Sequence, residues 1–213
     1  MSEVAAGQID PELAAEFPEL RLQALTLAAR SGRSPEELRE RLRDLSDRFR
    51  GPQAVMLRQR PVPWAYRVFF RHIGLDPDEQ RTPVEALALD RIKHGGFRSR
   101  STLDDALTIA VMETGVPVWA LDADHVEGEV GIRPAQRGER FGEGEYASDI
   151  PAGRLLLADD AGPVGVLFGA LVPGRGVTTA TSRMTLLSVQ VAGVPDIHVE
   201  EALWTVSEIL SSA

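Results

Sequence analysis

GGFRSRSTLDDALTIAVMETGVPVWALDADHVEGEVGIR, residues 95–133, is the stretch that decides the expected fold. Its first half predicts a helix, because Ser101 can cap the helix and Asp104 can reach back in a capping box. The apolar residues that follow recur at a spacing of three and four, which is typical of one buried helix face. Gly115 predicts the end of this helix, and Pro117 cannot continue it.

The second half of the stretch predicts a strand, a turn and a returning strand. Val116 to Leu121 is an apolar run of strand length, residues 122–128 turn the chain, and residues 129–133 lead back. Helical periodicity therefore changes to strand periodicity near residue 116.

The segment before this stretch predicts helices. Ser34-Pro35-Glu36-Glu37 and Thr82-Pro83-Val84-Glu85 each combine a cap, a proline in the first turn and a capping-box glutamate. Residues 1–12 resemble a loose tail, and for Phe17 to Ala29 the pattern leaves strand and short helix open. Another helix is expected to begin at Pro61.

The segment after it predicts strands, loops and a last helix. Residues 154–158 and 164–168 are expected to pair antiparallel, and residues 185–191 alternate as a further strand. Residues 138–148 and 169–176 are expected to be loops. Helices, then strands, then a helix favour an α+β domain, with residues 116–133 and the late strands in one β core and the helices of residues 34–93 outside it.

Composition sets the broad class. A chain of 213 residues can bury one sizeable core, and it has no apolar window near the roughly 18 residues of a membrane span. The N-terminus lacks the basic and apolar regions of a secretory signal. The absence of cysteine excludes disulfides, zinc–thiolate sites and thiol catalysis, and it fits a reducing compartment, so we predict a cytoplasmic protein.

The net charge of −9 conceals a basic segment. Residues 21–71 hold twelve arginines against five acids, so this segment carries about +7. One interpretation is that the arginines lie on the solvated faces of amphipathic helices. The other is a local face for a phosphate backbone, with Arg39, Arg43 and Arg50 as the RNA-binding candidates.

The common chemical motifs are absent. The four histidines are scattered without helical ligand spacing, so we expect no metal site, and no motif indicates a cofactor. The glycines of residues 169–176 lack the lysine and the serine or threonine of a phosphate loop. A Gly-x-Ser-x-Gly nucleophile elbow does not occur.

A family resemblance rests on the order and spacing of several segments: RTPVEALALDRIKHGG, the helix positions Asp105–Thr108, GVPVWALDADHVEG, IRPAQRGERF, GRLLLADDAGPVGVLFG and VTTATSRMTLLSV. From about Trp64 to Val191 the chain resembles the B3/B4 domain, the editing and tRNA-binding domain of the phenylalanyl-tRNA synthetase beta subunit. It resembles the free-standing bacterial proteins made of that domain even more closely. The resemblance implies a layered α+β domain with a β-sandwich-like mixed sheet core and outer helices.

The same resemblance divides the chain. It implies a single domain over residues 1–213, with a family-variable helical extension at 1–60, a core match at 61–195 and a C-terminal helix at 196–213. In the synthetase this domain hydrolyses a wrongly attached tyrosine from its tRNA, so the implied partners are tRNA or aminoacyl-tRNA, with no membrane.

Three positions of the implied site depart from the family. The chain has Thr108 where the family usually has asparagine, Trp119 where the synthetase has a histidine before an Ala-Phe-Asp-like turn, and Ser188 where it has a glutamate. Tryptophan cannot exchange a proton at neutral pH, and ester hydrolysis needs a positioned base. We therefore predict one substrate pocket lined by Thr108, Trp119, Asp122 and Ser188 that has lost efficient deacylation.

Each of these residues also has a purely structural interpretation. Trp119 can be a core aromatic residue, Asp122 can cap its turn, and Ser188 can be a neutral strand residue. Asp105 can cap or orient a neighbouring strand, and Arg133 can be a paired structural arginine. Two functions remain open. A tRNA-, RNA- or aminoacyl-ligand-binding module is favoured by the pocket polarity, and a trans-editing hydrolase of mischarged aminoacyl-tRNA is the alternative.

Overall fold

Helices occupy mainly the first half of the chain and strands mainly the second. The computed structural model describes residues 4–142 and 147–212, and within them it contains seven α-helices. Their bounds are α1 Pro11–Glu16, α2 Glu36–Arg48, α3 Gly51–Met56, α4 Pro61–His72, α5 Pro83–His94, α6 Thr102–Thr114 and α7 Asp196–Ser212. Short 3₁₀ turns lie at Leu57–Gln59 and Ala123–His125. None of the described helices is long and apolar enough to cross a membrane.

Ten strands in the described residues form two four-stranded sheets and one small hairpin. The strands are β1 Val4–Ala6, β2 Gln8–Ile9, β3 Arg21–Ala28, β4 Val118–Asp122, β5 Gly131–Pro134, β6 Arg140–Phe141, β7 Ser148–Asp149, β8 Leu155–Asp159, β9 Gly162–Val166 and β10 Arg183–Gln190. Sheet A has the order β1-β3-β10-β4 and is antiparallel throughout. Sheet B has the order β2-β5-β8-β9, and it is mixed because β2 and β5 run parallel.

The two sheets are linked closely at Gly7, between β1 of sheet A and β2 of sheet B. A Cβ at this position would lie 2.6 Å from the side chain of Leu22 and 2.6 Å from the carbonyl oxygen of Val130. Only glycine therefore lets the chain pass between the sheets here. Leu22 of sheet A and Ile132 of sheet B belong to one buried core cluster, which joins the sheets into a sandwich.

Helices α6 and α7 cover the outer face of sheet A, and they pack on each other. Their buried side chains, among them Ile109 and Leu203, extend the same core. The expected layered α+β domain, with a β-sandwich-like mixed sheet core and outer helices, is confirmed.

The helix of the deciding stretch forms as its sequence predicts. Ser101 accepts a hydrogen bond from the N–H of Asp104 at 3.1 Å and donates one to its carboxylate at 2.7 Å. Gly115 ends α6 at φ 81°, a left-handed conformation that favours glycine. The capping box of Thr82 and Glu85 at α5 is also present.

The returning strand of that stretch does not pair with its predecessor, although the sequence predicts a turn between them. β4 pairs with β10 in sheet A, whereas β5 pairs with β2 and β8 in sheet B. The connection across residues 123–130 therefore passes from one sheet to the other. Apolar runs of strand length carry no information about which partner they will find.

The expectation of a loose tail and a helical extension over residues 1–60 is wrong for its first half. Residues 4–6 and 8–9 form strands, and β3 lies between β1 and β10 inside sheet A. The alternation of Leu20, Leu22, Leu25 and Leu27 was compatible with either structure, and burial against the neighbouring strands favours the strand. Residues 1–3 lie outside the described residues.

Two smaller expectations are also corrected. Ser34 does not cap α2: Pro35 occupies the N-cap position without a side-chain hydrogen bond, and the Ser34 hydroxyl donates to Asp105 at 2.6 Å. The expected loop at residues 138–148 contains the short hairpin of β6 and β7, with residues 143–146 outside the described range.

Candidate functional site

A cleft of about 540 Å³ opens beside Thr108, between α5, the loop of residues 95–101 and α6. Thr108 is half-buried on α6, and its hydroxyl donates to the Asp104 carbonyl oxygen at 2.8 Å. Phe97, Leu107 and Val118 contribute apolar surface to the cleft. A cleft of this size and mixed lining can hold a small polar group attached to an apolar or planar body.

The charged groups of this cleft are of both signs. Arg98 and Arg100 line it and are exposed, and the acids Asp90 and Asp104 line it too. The carboxylate of Asp104 is held by Ser101 at the start of α6. Among the described residues, no group of three or more histidine, aspartate or glutamate side chains could hold a metal ion, in this cleft or elsewhere.

Trp119 does not reach this cleft, because it lies on the opposite face of sheet A. In the register of β4 with β10, Val118 lies opposite Ser188, and Trp119 lies opposite Leu187. Successive strand residues point to opposite faces, so Trp119 faces sheet B while Val118 faces α6. The Trp119 indole lies 5.6 Å from the ring of Phe168, measured between ring centroids.

Phe168 is the centre of an aromatic cluster that holds Trp119 in place. Its ring lies 6.0 Å from Tyr66, 6.0 Å from Phe69 and 4.9 Å from Phe70, all on α4. Phe168 has a φ of 59°, which is unusual for a bulky residue. Burial raises the pKa of the Tyr66 hydroxyl, which donates to the Val189 carbonyl oxygen at 2.6 Å. The indole of Trp119 is therefore a member of a packed aromatic layer.

Ser188 is inaccessible to a ligand in this structure. It is fully buried on the face of sheet A that α6 and α7 cover, and its hydroxyl donates to the Pro117 carbonyl oxygen at 3.0 Å. The predicted single pocket of Thr108, Trp119 and Ser188 is thus not formed. The physical reason is the alternation of side chains along β4 and β10, which separates Trp119 from the other two.

Asp122 lies at the far end of β4, four residues from Val118, or about 13 Å along the strand. Its carboxylate accepts hydrogen bonds from the Thr181 hydroxyl at 2.5 Å and from the N–H of Asp124 at 3.1 Å, and His125 lies 3.4 Å away. The Thr181 hydroxyl, with the Asp124 N–H and His125, holds the pKa of the Asp122 carboxyl below its usual value. Asp122 therefore stabilises its turn, away from the Thr108 cleft.

Asp105, next to the cleft, is a buried carboxylate that accepts three hydrogen bonds. It is 1% exposed, and it accepts hydrogen bonds from the Ser34 hydroxyl at 2.6 Å, the Ser99 hydroxyl at 2.5 Å and the Arg100 N–H at 3.1 Å. The sequence allowed it only a capping or orienting role. The structure shows that it joins the loop before α2 to the loop before α6.

The RNA-binding candidates of α2 and its C-terminal end are paired with acids on the same segment. Arg39 and Arg43 both bind Glu36, and Arg50 binds Asp47. The hydrogen bond from Arg43 and the charge of Arg39 hold the pKa of Glu36 below its usual value. The positive charges of these three arginines are therefore partly offset by the carboxylates of Glu36 and Asp47.

A second cavity, of about 550 Å³, lies at the β2–β5–β8 side of sheet B. Its charged lining is mostly acidic, and its one arginine, Arg133, pairs with Glu139 at 2.5 Å. Asp159 lines it as well and is engaged by Arg175 at 2.9 Å. Arg133 is thus a paired arginine, as its structural interpretation predicts.

Comparison with known proteins identifies the family. The profile of the B3/4 domain matches residues 65–199, which is more than half of the chain and overlaps the predicted core of 61–195. The chain belongs to the B3/4 domain family. The family resemblance noted in the sequence is therefore confirmed.

Relatives of this B3/4 protein include much longer chains. It is 34% identical over 95 residues to the phenylalanine–tRNA ligase beta subunit of Streptomyces avermitilis, covering 44% of this chain and 11% of that one. It is 29% identical over 121 residues to the same subunit of Cutibacterium acnes, covering 56% and 14%. The chain thus spans only about a tenth to a seventh of these relatives.

A solved structure also resembles this B3/4 protein. It is an N-terminal fragment of the phenylalanyl-tRNA synthetase beta subunit from Pyrococcus horikoshii, with a TM-score of 0.45 and 13% identity. The match covers 97% of this chain and 52% of the fragment.

Proposed function

We propose that this chain is a binding module for tRNA, another RNA or an aminoacyl ligand, and that it has no efficient deacylase activity. The observation that carries the proposal is the position of Trp119, which packs on Phe168 where the resembling editing site has a histidine. An indole has no titratable group at neutral pH, so it cannot activate water. Ser188 offers no carboxylate, and it is buried under the helices.

The binding half of the proposal is supported by the cleft beside Thr108 and by the family relation. The cleft holds both arginines and acids over an apolar surface, which suits a ligand that carries charge and a planar or apolar body. The longer relatives are subunits of a tRNA ligase, so aminoacyl-tRNA is the natural ligand class, and the cytoplasm is the natural compartment. In this proposal Thr108 contacts the ligand, whereas Trp119, Asp122 and Ser188 act through the fold.

RNA contacts by Arg39, Arg43 and Arg50 remain part of the proposal. Each is exposed or half-buried on the surface, but each also binds Glu36 or Asp47. Binding a phosphate there requires the arginine to exchange its carboxylate partner, which reduces the net gain. We therefore expect these three residues to contribute weakly.

The alternative is a trans-editing hydrolase of mischarged aminoacyl-tRNA. The observation that favours it is the presence of two carboxylates, Asp90 and Asp104, in the lining of the Thr108 cleft. A carboxylate within hydrogen-bond reach of a water can act as a general base. A hydrolase of this kind would use a different base from the histidine of the resembling site.

One assay separates these functions. Purified protein is mixed with mischarged tyrosyl-tRNA, in which tyrosine is attached to a tRNA for another amino acid. Both the retention of tRNA and the release of tyrosine are measured. We expect retention, together with release at the spontaneous rate. Trp119→His adds a titratable ring on the sheet B side, away from Thr108, so we expect at most a small gain.

Brisk release by the unmodified protein would replace the binding-module proposal with the hydrolase. In that case Asp90→Asn and Asp104→Asn would show which carboxylate activates the water. If the protein neither retains tRNA nor releases tyrosine, both functions are refuted.

A further inference from the structure

Six of the twelve arginines in residues 21–71 form salt bridges with acids, whereas four exposed arginines from two loops near α6 form none with the described residues. Arg30, Arg33, Arg98 and Arg100 are all exposed. Within residues 4–142 and 147–212, none of the four forms a salt bridge. We call these four residues the loop arginines.

The loop arginines come from two loops that the structure fastens side by side. The N–H of Thr102 donates to the Gly32 carbonyl oxygen at 2.9 Å, and the N–H of Leu103 donates to the Ser31 hydroxyl at 3.3 Å. The buried carboxylate of Asp105 adds bonds to Ser34 and to the Arg100 N–H. Residues 30–34 and 98–103 therefore form one surface.

The buried carboxylate explains why this surface keeps its charge. Asp105 uses its acceptor capacity on two serine hydroxyls and one backbone N–H, and it is 1% exposed. It therefore organises the loops without forming a salt bridge to any guanidinium. On α2 the opposite holds, because the exposed Glu36 binds two arginines directly.

The adjoining cleft adds a surface for stacking. Arg98 and Arg100 line it together with the half-buried Phe97, and Leu107 and Val118 add apolar surface to the same cleft. The N–H of Phe97 donates to the Ser46 hydroxyl at 2.8 Å, which anchors this loop to α2. Aromatic side chains beside cationic ones are the usual platform for unpaired bases.

The acids of the cleft decide where charge can be placed. Asp90 on α5 and Asp104 on α6 disfavour a phosphate beside the two helices, whereas Arg98 and Arg100 favour one along the loop of residues 95–101. A ligand with phosphates along the loop and an uncharged base against the helices satisfies both conditions. A single free anion would leave most of the four guanidinium groups unused.

We propose that the loop arginines and the Thr108 cleft form a binding site for a single strand of RNA, with phosphates on the arginines and a terminal base beside Phe97. This inference rests on the proposed RNA-binding function and identifies the surface that performs it. Single-stranded RNA fits better than a duplex, because only an unpaired base can enter the cleft.

The test is fluorescence anisotropy with a 5′-labelled single-stranded RNA of about 12 nucleotides, a length suited to such grooves. Affinity is measured over a salt series for the wild-type protein and for Arg98→Gln combined with Arg100→Gln. We expect the double variant to bind about tenfold more weakly, and the slope of log affinity against log salt to fall by about 1.4. Both arginines are exposed, so folding should be unaffected, and thermal melting checks this.

The matched control is Arg58→Gln combined with Arg137→Gln, which removes the same charge at two exposed arginines that do not line the Thr108 cleft. Like Arg98 and Arg100, neither forms a salt bridge within the described residues. This control should change affinity by less than about twofold, because arginines outside the site contribute only through screened long-range attraction. Equal losses in both double variants would overturn the proposed site and indicate a general charge effect. RNA binding that survives Arg98→Gln/Arg100→Gln unchanged would also overturn it, yet would leave the proposed function standing.

A second variant tests the stacking part independently. Phe97→Ala should reduce the preference for an ordinary strand over one with an abasic 3′ end, whereas Phe97→Tyr should preserve it. A fully abasic strand that binds the wild type as tightly as the ordinary strand would overturn the base-binding part of the site. A polyglutamate of equal charge that binds as tightly would overturn the nucleic-acid assignment in favour of an acidic protein partner. No RNA binding at low salt would refute the proposed RNA function itself.

Discussion

Glu36 and Asp105 differ in whether they pair with arginines, and the difference follows from how deeply each carboxylate is buried. Glu36 on α2 is more than half exposed and binds Arg39 and Arg43. Asp105 is 1% exposed, and its bonds go to serine hydroxyls and a backbone N–H. The exposed Glu36 offsets the positive charge of the arginines on α2. The buried Asp105 instead joins the two loops that carry the loop arginines, and it leaves their charge unpaired.

The largest effect that we expect from this contrast comes from Asp105→Ala. The substitution leaves the hydroxyls of Ser34 and Ser99 and the N–H of Arg100 without their acceptor. Hydrogen bonds to a buried charged group contribute strongly, so we expect the free energy of unfolding to fall by about 3 kcal/mol in urea denaturation. Asp105→Asn keeps the volume and one acceptor, and it should cost about half as much. A loss below about 0.5 kcal/mol for Asp105→Ala would show that the two loops hold together without it.

The next effect concerns Asp122, whose carboxylate is also buried and also paired with a hydroxyl. The Thr181 hydroxyl, with the Asp124 N–H and His125, lowers the pKa of Asp122. A lowered pKa contributes stability that is present above the unfolded value of about 3.9 and is lost as the pH falls through the folded pKa. Thr181→Val should therefore reduce stability by about 1.5–3 kcal/mol near neutral pH, and the difference from the wild type should shrink in strong acid.

The measurement is the melting temperature between about pH 2 and pH 7. Thr181 also accepts from the N–H of Thr178, and the loss of that bond does not depend on pH. Only the pH-dependent part of the difference therefore reports on Asp122. Thr181→Ser retains the hydroxyl and should follow the wild-type profile. A difference that stays constant with pH would show that Asp122 gains nothing from Thr181.

A smaller effect is expected at Ser46, where the two regions meet. Its hydroxyl accepts from the N–H of Phe97 at 2.8 Å and donates to the Leu42 carbonyl oxygen at 2.9 Å, so it joins α2 to the loop of residues 95–101. Ser46→Ala should cost about 1 kcal/mol and speed hydrogen exchange at the Phe97 amide. Unchanged exchange at that amide would mean that the loop arginines are positioned without α2.

Local signals in the sequence predicted local structure well. Ser101, Gly115, Thr82 and Glu85 act only on neighbouring residues, and each occupies the expected cap or stop. Their physics is contained within one turn of chain, so no knowledge of the remaining fold is needed. The α+β class follows from periodicity for the same reason.

Those local signals did not predict which groups pair when they lie far apart in the sequence. Ser34 has the residue type and position of a cap, yet a carboxylate 71 positions later takes its hydroxyl. Trp119 and Ser188 both occupy positions of one implied site, but the register of β4 on β10 places their side chains on opposite faces. A shift of one residue in register would have placed them together. Alternating burial normally fixes register, but β4 and β10 are buried on both faces and lack that alternation.

The smallest expected effect on stability is also the sharpest probe of the contrast between the two regions. Glu36→Gln removes an ion-pair partner of Arg39 and Arg43 at an exposed, solvent-screened site, so the urea midpoint of unfolding should stay close to that of the wild type. The same substitution leaves Arg39 without its carboxylate partner and leaves Arg43 only its longer contact with Glu40, at 3.5 Å. If pairing is what keeps these arginines from binding phosphate, single-stranded RNA should bind more tightly to Glu36→Gln than to the wild type.

Glu37→Gln is the control, because it makes the same change in net charge at the neighbouring exposed position. A gain confined to Glu36→Gln would show that Arg39 and Arg43 are competent RNA contacts held back by their partner. An equal gain in both variants would reflect only the reduced negative charge of the protein. No gain in either would mean that the geometry of α2 itself does not suit a nucleic-acid backbone, since Arg39 has then lost its partner and still does not bind. That result would leave the loops fastened by Asp105 as the basic surface to which the RNA-binding proposal is confined.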